Sequence, residues 1–383
     1  MGNWRHLIHV RIITPLGFLV CFRRNGHAGV PRASGFGGER VRVYVPAPLP
    51  PVPSLDLTQL MSLYERAIAD VGRLDGVATI LASTRLFLYM YVRKEALLSS
   101  QIEGTQSSLS ELLLYENDET PSVKLDDVTE VSNYVAAVEH GVARIREGFP
   151  LSLRLIREMH GIILQSGCGA TKQPGEFRRS QNWTGGTRPG NALYVPPPPN
   201  HLDDCLDAFE RFLHTDDAGL PPLIHAGLAH VQFETVHPFL DGNGRLGRLL
   251  ITLILVEAGV LREPILYLSL FLKSRRDDYY RLLQEVRQAG ASEAWIEFFL
   301  TGVAETAEQA SETARDLIAI FEAHRKQIAT LGRSAPTALR VHEFMQARPI
   351  VTIQTVADGW GGGAMVDHQC QAPNRGRWFH HVD

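Results

Sequence analysis

The sequence predicts an all-α fold class with one short β element. Apolar residues recur at helical spacing through most of residues 57–346. Glycine, proline and asparagine concentrate instead in 167–199, where short extended runs such as 193–195 are typical of a hairpin or flap. The chain has 383 residues and is 44% hydrophobic, which is enough for two or three domains with buried cores. We therefore expect a helical bundle that carries a small β-hairpin flap.

The helical spacing can be assigned to individual segments. It predicts helices over 57–74, 77–102, 108–115, 128–146, 152–164, 202–214, 221–235, 275–288, 294–303, 305–331 and 337–346. A further apolar helix is expected after the motif at 237–248, with Gly259 as its stop. The segment 46–53, PAPLPPVP, cannot be helical because proline removes a backbone donor, and we expect it to be extended.

Charge and cysteine content restrict the class of protein. A net charge of −4 argues against a surface built mainly to bind nucleic acid or anionic lipid. The four cysteines are scattered without a Cys-x-x-Cys pair, which suits a reducing cytoplasm. The apolar run at 12–22 is shorter than the roughly 20 residues that a spanning helix needs, so we expect no membrane crossing. Residues before about Gly29 are interpreted as sequence that is not native to the protein.

Residues 237–248, HPFLDGNGRLGR, concentrate the chemistry of the chain. Gly242 and Gly244 allow a tight turn and a close approach to a bulky anion. The N–H groups at the helix start that follows point toward negative charge. Arg245 and Arg248 are three positions apart, so they share a helix face and can reach the same phosphate chain. The stretch is therefore predicted to bind a phosphorylated ligand.

The same twelve residues resemble the signature of the Fic family, His-x-Phe-x-(Asp/Glu)-Gly-Asn-Gly-Arg-x-x-Arg, at every fixed position. The resemblance extends over roughly residues 40–350. It implies the Fic fold and a protein adenylyltransferase, which moves AMP from ATP to a Ser, Thr or Tyr hydroxyl of a target protein or of the chain itself. ATP as substrate and Mg²⁺ are the implied cofactors. Relatives often form homodimers, so a homodimer is expected as well.

The resemblance assigns roles within the motif that agree with residue chemistry. His237 is the expected general base, because an imidazole with an unperturbed pKa of about 6.5 can take the proton of an attacking hydroxyl. Asp241 is the expected Mg²⁺ ligand, a hard ion that pairs one or two carboxylates with phosphate oxygens. Phe239 is expected to anchor the loop in the core. The predicted ATP-binding residues are Gln232, Gly242, Asn243, Gly244, Arg245, Arg248 and Ser274.

Within that set, two residues are assigned to the base of the nucleotide. Adenine is expected near 270–280, with Gln232 on the opposite wall. Ser274 stands where relatives are expected to carry an amide. The Asn243 amide is expected to help the backbone N–H groups cradle the phosphates.

A second motif, SSQIEG at 99–104, resembles the family's inhibitory pattern (Ser/Thr)-x-x-x-Glu-(Gly/Asn). The resemblance implies that Glu103, supported by Ser99, pairs with Arg248 and blocks seating of the γ-phosphate. The electrostatics agree, because a carboxylate at a helix C-terminus opposes the helix dipole and favours a cationic partner.

The flap residues Tyr194, Val195 and Pro196 resemble the family's target-binding flap, whose extended backbone can pair with a strand of the target. Residues 178–179 and 181–183 also look like family sequence and are expected to shape the pocket.

The expected organisation follows from these motifs. It comprises an uncertain N-terminal extension at 1–45, a regulatory helical region with the inhibitory motif at 46–150, a Fic catalytic core at 151–300, and a helical linker with a partial winged helix at 301–357. The irregular tail at 358–383 loses all periodicity, which we interpret as a frameshift or truncation near Ala357.

Other functions stay open at this point. A Fic-fold kinase, or transfer of phosphocholine or another nucleotide, would use the same scaffold, although Gly244 speaks against the kinase branch. Removal of AMP is an alternative in which Glu103 positions a water. From another class, the chain could be a winged-helix transcriptional regulator with a nucleotide-sensing domain, but the incomplete winged helix argues against nucleic-acid binding.

Overall fold

A computed structural model describes residues 29–36, 39–80, 84–116, 125–167, 169–215 and 219–346, together with residues 353 and 356. Its helices are α1 Met61–Ile80, α2 Thr84–Glu103, α3 Leu109–Glu116, α4 Leu125–Arg146, α5 Leu153–Ile163, α6 Pro199–Leu213, α7 Pro222–Val236, α8 Asn243–Glu257, α9 Ser269–Ser274, α10 Arg276–Ala289, α11 Ser292–Ala329 and α12 Ala335–Met345. Strands β1 Val30–Phe36 and β2 Glu39–Val45 form one antiparallel hairpin. The predicted all-α class with a small β element is confirmed.

Two buried helices, α7 and α8, form the centre of the bundle. In α7, residues 223–224 and 226–236 are buried, and in α8 residue 243 and residues 245–255 are buried. Helices that are covered on all sides have apolar residues all round rather than on one stripe, as both sequences do. Proline at the first turn of α7 is pre-organised for a helix start. The loop 237–242 between them therefore lies deep in the structure.

The N-terminal helices bring α2 against this centre. Helix α1 packs along α11, while α2 packs against α4, α9 and the start of α8. The last residue of α2 is Glu103, so the fold delivers the inhibitory motif to the first turn of α8. None of the helices in the described ranges has the length and apolar character to span a membrane.

Several boundaries differ from the sequence prediction. Helix α1 runs through Gly76 to Ile80, whereas a break at 75–76 was expected. The two helices expected at 294–303 and 305–331 are one helix, α11, because Ala304 is buried and continues the apolar contact with α1. In α1, packing along the whole helix outweighs the weak helix former Gly76, whereas Ala304 in α11 is itself a strong helix former. The short α9 and the β1–β2 hairpin were not predicted.

Other predictions are confirmed at the ends of elements. The Ser152 hydroxyl accepts a hydrogen bond from the Leu155 amide and caps α5, as the predicted start at 152 requires. Helix α12 matches the first helix expected in the partial winged helix. The rest of that module, apart from residues 353 and 356, lies outside the described residues, as do 1–28 and the tail at 358–383.

Candidate active site

The loop between α7 and α8 is shaped by two residues with left-handed backbone conformations. His237 ends α7 with φ 49°, and Gly242 precedes α8 with φ 73°. Glycine adopts this region without strain, whereas a histidine there must be held by its surroundings. The His237 carbonyl accepts hydrogen bonds from Arg178 Nε at 2.9 Å and from Asn182 Nδ2 at 3.3 Å. These two side chains fix the turn that carries the predicted base.

Arg178 also ties this loop to the flap. Its Nη2 donates to the carbonyls of Pro197 at 2.6 Å and Val236 at 3.4 Å, and its own amide donates to the Pro238 carbonyl at 3.0 Å. The side chain is 2% exposed. Arg178 thus holds the end of α7, the loop 237–242 and the proline run of the flap in one arrangement, and its expected role in shaping a pocket stays a prediction.

The His237 imidazole is neutral in this environment. Burial, together with the nearby guanidinium groups of Arg287 and Arg178, lowers its pKa from the ordinary value to about 3. A neutral ring nitrogen can accept a proton at any pH near 7. The arrangement is therefore compatible with general base chemistry, although the base is weaker than an unperturbed histidine.

Asp241 offers the open carboxylate of the loop. Its Oδ1 accepts a hydrogen bond from the Gly242 amide at 2.7 Å, and the side chain is 41% exposed. Arg245 Nη2 lies 3.9 Å from the same oxygen. The described residues contain no cluster of three or more metal-ligating side chains. A single accessible carboxylate fits an ion that takes its other ligands from phosphate and water, as Mg²⁺ does.

The side-chain amide of Asn243, which was expected to help cradle the phosphates, is hydrogen-bonded within the loop. Asn243 Oδ1 accepts a hydrogen bond from the Phe239 amide at 2.9 Å, and its Nδ2 donates to the Phe239 carbonyl at 2.8 Å. The residue is 2% exposed. Both polar atoms of the amide therefore help to close the loop, and the phosphate contact expected of this side chain stays a prediction.

His160 is a loop-supporting residue that the sequence did not reveal. Its Nδ1 accepts a hydrogen bond from the Gly175 amide at 2.9 Å, so its Nε2 must carry the proton and donate to the Asp241 carbonyl, 3.1 Å away. The ring stacks on Phe239 with centroids 3.7 Å apart. Burial lowers its pKa to about 4, which keeps this tautomer neutral. Its partners are 15 and 81 residues away along the chain, so no local pattern could indicate them.

Glu103 pairs with Arg248, as the inhibitory motif implies. Arg248 Nη2 donates to Glu103 Oε1 at 2.8 Å and to the Ser99 carbonyl at 2.8 Å, while its Nε donates to the Ser99 hydroxyl at 2.8 Å. Arg245 bridges two acidic side chains, with Nε 3.4 Å from Glu103 Oε2 and Nη1 3.2 Å from Glu130 Oε2. Both arginines of the motif therefore meet carboxylates from the N-terminal helices.

The carboxylate of Glu103 lies directly over Gly244, in the turn that is predicted to bind an anion. A Cβ placed on Gly244 would collide with Glu103 Oε1 and lie 3.0 Å from Arg248 Nη1. Burial alone would lower the pKa of Arg248, but Glu103, Tyr279 and Glu234 raise it above its ordinary value. An anion seated at this turn must compete with Glu103 for both the space and the arginine.

The two residues predicted to contact adenine are engaged within the protein. Gln232 Nε2 donates to the Ala47 carbonyl at 2.9 Å and faces the proline-rich segment 46–53. The Ser274 hydroxyl donates to the Phe271 carbonyl at 2.9 Å at the end of α9. An adenine pocket between them stays a prediction.

The flap is shorter than a regular hairpin. Thr184 and Tyr194 form a single antiparallel bridge, and the Tyr194 hydroxyl donates to the Thr235 carbonyl at 2.5 Å. The Pro196 carbonyl accepts a hydrogen bond from Gln181 Nε2 at 3.0 Å. The three predicted flap residues therefore run along the end of α7, next to the catalytic loop.

The outer edge of the flap is covered by the chain's own hairpin. The Tyr44 amide donates to the Val195 carbonyl at 3.0 Å, and Val41, Val43 and Val195 form a small buried cluster. The segment 29–45, interpreted as part of an uncertain extension, is thus packed against the predicted target-binding edge.

Comparison with protein families agrees with this geometry. Residues 61–143 match the model of the Fic/DOC family N-terminal region. Residues 150–255 match the Fic/DOC family model, and this range contains the loop 237–242. This chain belongs to the Fic/DOC family. The α2 end with Glu103 lies in the first match, and the Fic motif lies in the second. The contact between Glu103 and Arg248 therefore joins the two matched regions.

Individual relatives carry the same family name. The protein adenylyltransferase Fic of Aedes aegypti is 28% identical over 258 residues, covering 63% of this chain and 49% of that protein. The protein of the same name from Drosophila melanogaster is 29% identical over 238 residues, covering 61% and 44%. This Fic chain thus spans less than half the length of these curated relatives.

Solved structures share the fold of this Fic chain. A Fic family protein from Desulfovibrio desulfuricans superposes with a TM-score of 0.55 at 20% identity, covering 78% of this chain and 87% of that one. Fic-1 from Caenorhabditis elegans gives a TM-score of 0.52 at 21% identity, covering 69% and 75%. These likenesses extend beyond the motif to the surrounding helices.

Proposed function

We propose that this Fic protein is a protein adenylyltransferase held in an inhibited state by Glu103. The observation that carries the proposal is the folded Fic loop, where a neutral His237, the accessible Asp241 and the start of α8 converge. The curated relatives are named protein adenylyltransferases, and their named activity is brought to this chain only as part of this proposal.

The residues of the loop divide the reaction among them. The hydroxyl oxygen of the target forms a bond to the α-phosphorus of ATP, the bond to the bridging oxygen breaks, and diphosphate leaves. His237 takes the proton of the hydroxyl. The N–H groups at the start of α8 and the guanidinium groups of Arg245 and Arg248 bind phosphate oxygens. Asp241 would hold Mg²⁺, which neutralises phosphate charge when bound.

Inhibition follows from the contact at Gly244. Glu103 occupies the space over this glycine and uses Nη2 of Arg248. A negatively charged phosphate cannot share that position with a carboxylate, because like charges at such distances repel strongly in a partly buried site. ATP is therefore expected to bind unproductively until Glu103 moves. Self-modification, a homodimer, a cytoplasmic location and little affinity for nucleic acid stay predictions of the same proposal.

One labelling experiment tests the proposal. Wild-type protein, Glu103→Gly and the double variant Glu103→Gly/His237→Ala are incubated with Mg²⁺ and with ATP labelled on either the α- or the γ-phosphate. We expect Glu103→Gly to label itself from the α position far more than wild type, and the double variant to lose the label. Label from the γ position would assign a kinase instead, and absence of label in folded Glu103→Gly would reject adenylylation of itself.

A further inference from the structure

Helix α2 carries three polar residues on the face that leads to the contact with Arg248. Glu95, Ser99 and Glu103 follow one another at intervals of four residues, so they lie on the same face of the helix. Glu95 is 5% exposed, and Ser99 is fully buried. Burial of a carboxyl group is costly unless the group is hydrogen-bonded. Neither the proposed reaction nor the pairing of Glu103 with Arg248 uses Glu95, so its burial needs another explanation.

The carboxyl group of Glu95 is bound to the first residue of α9. The Ser269 amide donates to Glu95 Oε2 at 3.2 Å, and the Ser269 hydroxyl donates to Glu95 Oε1. Ser269 is fully buried as well. Both oxygens of the carboxyl group therefore accept from one residue, which fixes the position of the Glu95 side chain more closely than a single hydrogen bond would. This contact ties α2 to α9 inside the protein.

Two further interactions connect this contact with the C-terminal end of α2. The Tyr134 hydroxyl, on α4, interacts with the side chains of both Glu95 and Ser99, and Tyr134 is 1% exposed. The Glu95 carboxyl group also interacts electrostatically with Arg248. Ser99 in turn accepts from Arg248 through its hydroxyl and its carbonyl. The contact of α2 with α9 and its contact with α8 are thus neighbours within one buried polar cluster.

The position of a helix at one contact determines its position at the next. Glu95 and Glu103 are eight residues apart, which is about 12 Å along the axis, and backbone hydrogen bonds make the turns between them move together. A rotation of α2 by the angle of one residue, about 100°, would turn Ser99 and Glu103 away from Arg248. We propose that Glu95 is a positioning residue of inhibition, because its contact with Ser269 fixes the rotation and the axial position at which α2 presents Glu103 to Arg248.

This inference rests on the proposed inhibition by Glu103, so it is tested with and without that residue. Glu95→Leu removes both acceptors and keeps roughly the side-chain volume. Self-labelling from α-labelled ATP is measured at pH 8, because burial raises the pKa of Glu95 to about 7 and the carboxyl group is ionised at the higher pH. We expect the labelling rate to rise about fivefold or more, a typical size for energetic coupling within a protein. In the Glu103→Gly background, Glu95→Leu should raise the rate no further.

Two variants of α2 provide the matched controls. Glu95→Gln keeps an acceptor for the Ser269 amide and adds a donor that the Ser269 hydroxyl can accept, so most of the inhibition should remain. Leu97 is 7% exposed and lies about 200° around the helix from Glu95, so Leu97→Ala weakens the packing of α2 without removing the contact with α9. It should label itself near the wild-type rate. Ser269→Ala, which removes the hydroxyl alone, should activate less strongly and carries the test if Glu95→Leu does not fold.

Three results would overturn the inference. They are a wild-type labelling rate in folded Glu95→Leu, equal activation by Leu97→Ala at the same loss of stability, and the same change of rate in the Glu103→Gly background, which would assign Glu95 to the catalytic site itself. Hydrogen exchange gives a readout without catalysis, because the amides of the last turn of α2 should exchange faster in Glu95→Leu than in Leu97→Ala. If Glu103→Gly does not label itself, the proposed function fails, and equal exchange in these two variants still rejects the positioning role of Glu95.

Discussion

Ser99 and Arg248 are joined by two hydrogen bonds of 2.8 Å, from Nε to the Ser99 hydroxyl and from Nη2 to the Ser99 carbonyl. The carbonyl belongs to the last turn of α2, where backbone oxygens carry partial negative charge. Arg248 is thus bound to the C-terminal end of α2 by more than its ion pair with Glu103. The proposed inhibitory contact therefore involves the helix end as a whole.

Ser99→Ala is expected to weaken inhibition without abolishing it. The change removes one of the hydrogen bonds to the buried guanidinium, and a hydrogen bond to a charged group contributes about 1.5–3 kcal/mol. Glu103 and the Ser99 carbonyl still hold Arg248, so self-modification should rise several-fold but stay below that of Glu103→Gly. The rate of incorporation of α-labelled phosphate measures this order.

Ser100→Ala is the matched control for this prediction. Ser100 is buried like Ser99, but its hydroxyl has no hydrogen-bond partner among the described residues. The substitution should leave the labelling rate at the wild-type level. Equal activation by both alanine variants would contradict a specific role of the Ser99 hydroxyl and would point to general loosening of α2.

Arg178→Ala is expected to destabilise the catalytic loop. Burial lowers the pKa of Arg178 to about 10, so it is charged at pH 7 and its charge is satisfied by backbone carbonyls. Removing it leaves the carbonyls of His237 and Pro197 without this donor, which should cost about 3 kcal/mol of unfolding free energy and most of the labelling activity. Urea unfolding and the labelling assay measure the two effects.

The exposed neighbour Arg179 separates loop support from general charge effects. Arg179→Ala removes the same charge one residue away and should change the unfolding free energy by less than about 0.5 kcal/mol. A comparable loss of stability in both variants would show that the carbonyl contacts of Arg178 are not what holds the loop.

The sequence predicts the elements whose signals are local and misses those that depend on distant residues. The helix start at Ser152 and the turn at Gly242 depend on neighbouring residues, and both are formed as predicted. The pairing of Glu103 with Arg248 spans 145 residues and was predicted only because the two motifs resemble a family pattern.

Contacts that no such pattern describes were not predicted. His160 acts on Asp241 across 81 residues, and the Asn243 amide bonds to Phe239 within the loop. In the hairpin at 30–45, β1 and β2 pair with each other along their full length, and Val41 and Val43 of β2 pack on Val195. Tertiary contacts, rather than local propensity, decide these features.

The stability of the protein is expected to fall gradually as the pH drops from about 6 to 4. His160, His230 and His237 have pKa values lowered to about 4, 4 and 3, and burial is the main cause in each case. Their stabilising effect is present above the unfolded value of about 6.5 and is lost as the pH falls. Burial raises the pKa of Glu95 and Glu234 to about 7, so their effect has the opposite sign and is present at low pH.

The effects of the three histidines and of the two glutamates on the unfolding free energy partly offset each other. Between about pH 6 and 5 the unfolded chain holds roughly one proton more on these five groups, so unfolding free energy should fall by about 1.4 kcal/mol per pH unit. Below about pH 4.5 the two carboxyls take up protons in the unfolded chain, but His160 and His230 also begin to take up protons in the native state, so the slope should increase only by about half. Urea unfolding at pH 6, 5, 4.5 and 4 measures this pH dependence of the unfolding free energy. An unfolding free energy that rises between pH 6 and 5 would contradict these pKa shifts.

The hairpin on the flap is expected to open when its buried valine is truncated. Val43 is 1% exposed and packs on Val195, so Val43→Ala should cost roughly 2 kcal/mol of docking free energy. The Tyr44 amide, which donates to the Val195 carbonyl, should then exchange its hydrogen roughly tenfold to thirtyfold faster in deuterated water.

Arg42→Ala, on the exposed face of the same strand, provides the control and should leave this exchange rate unchanged. If Val43→Ala also leaves it unchanged, the ion pair between Glu39 and Arg188 holds the hairpin in place of the valines. In either case the Val195 carbonyl is bonded to the Tyr44 amide, so a strand of a target could take its place as donor only after β2 has left. The hydrogen-exchange rate of the Tyr44 amide therefore reports how often this edge of the flap is free.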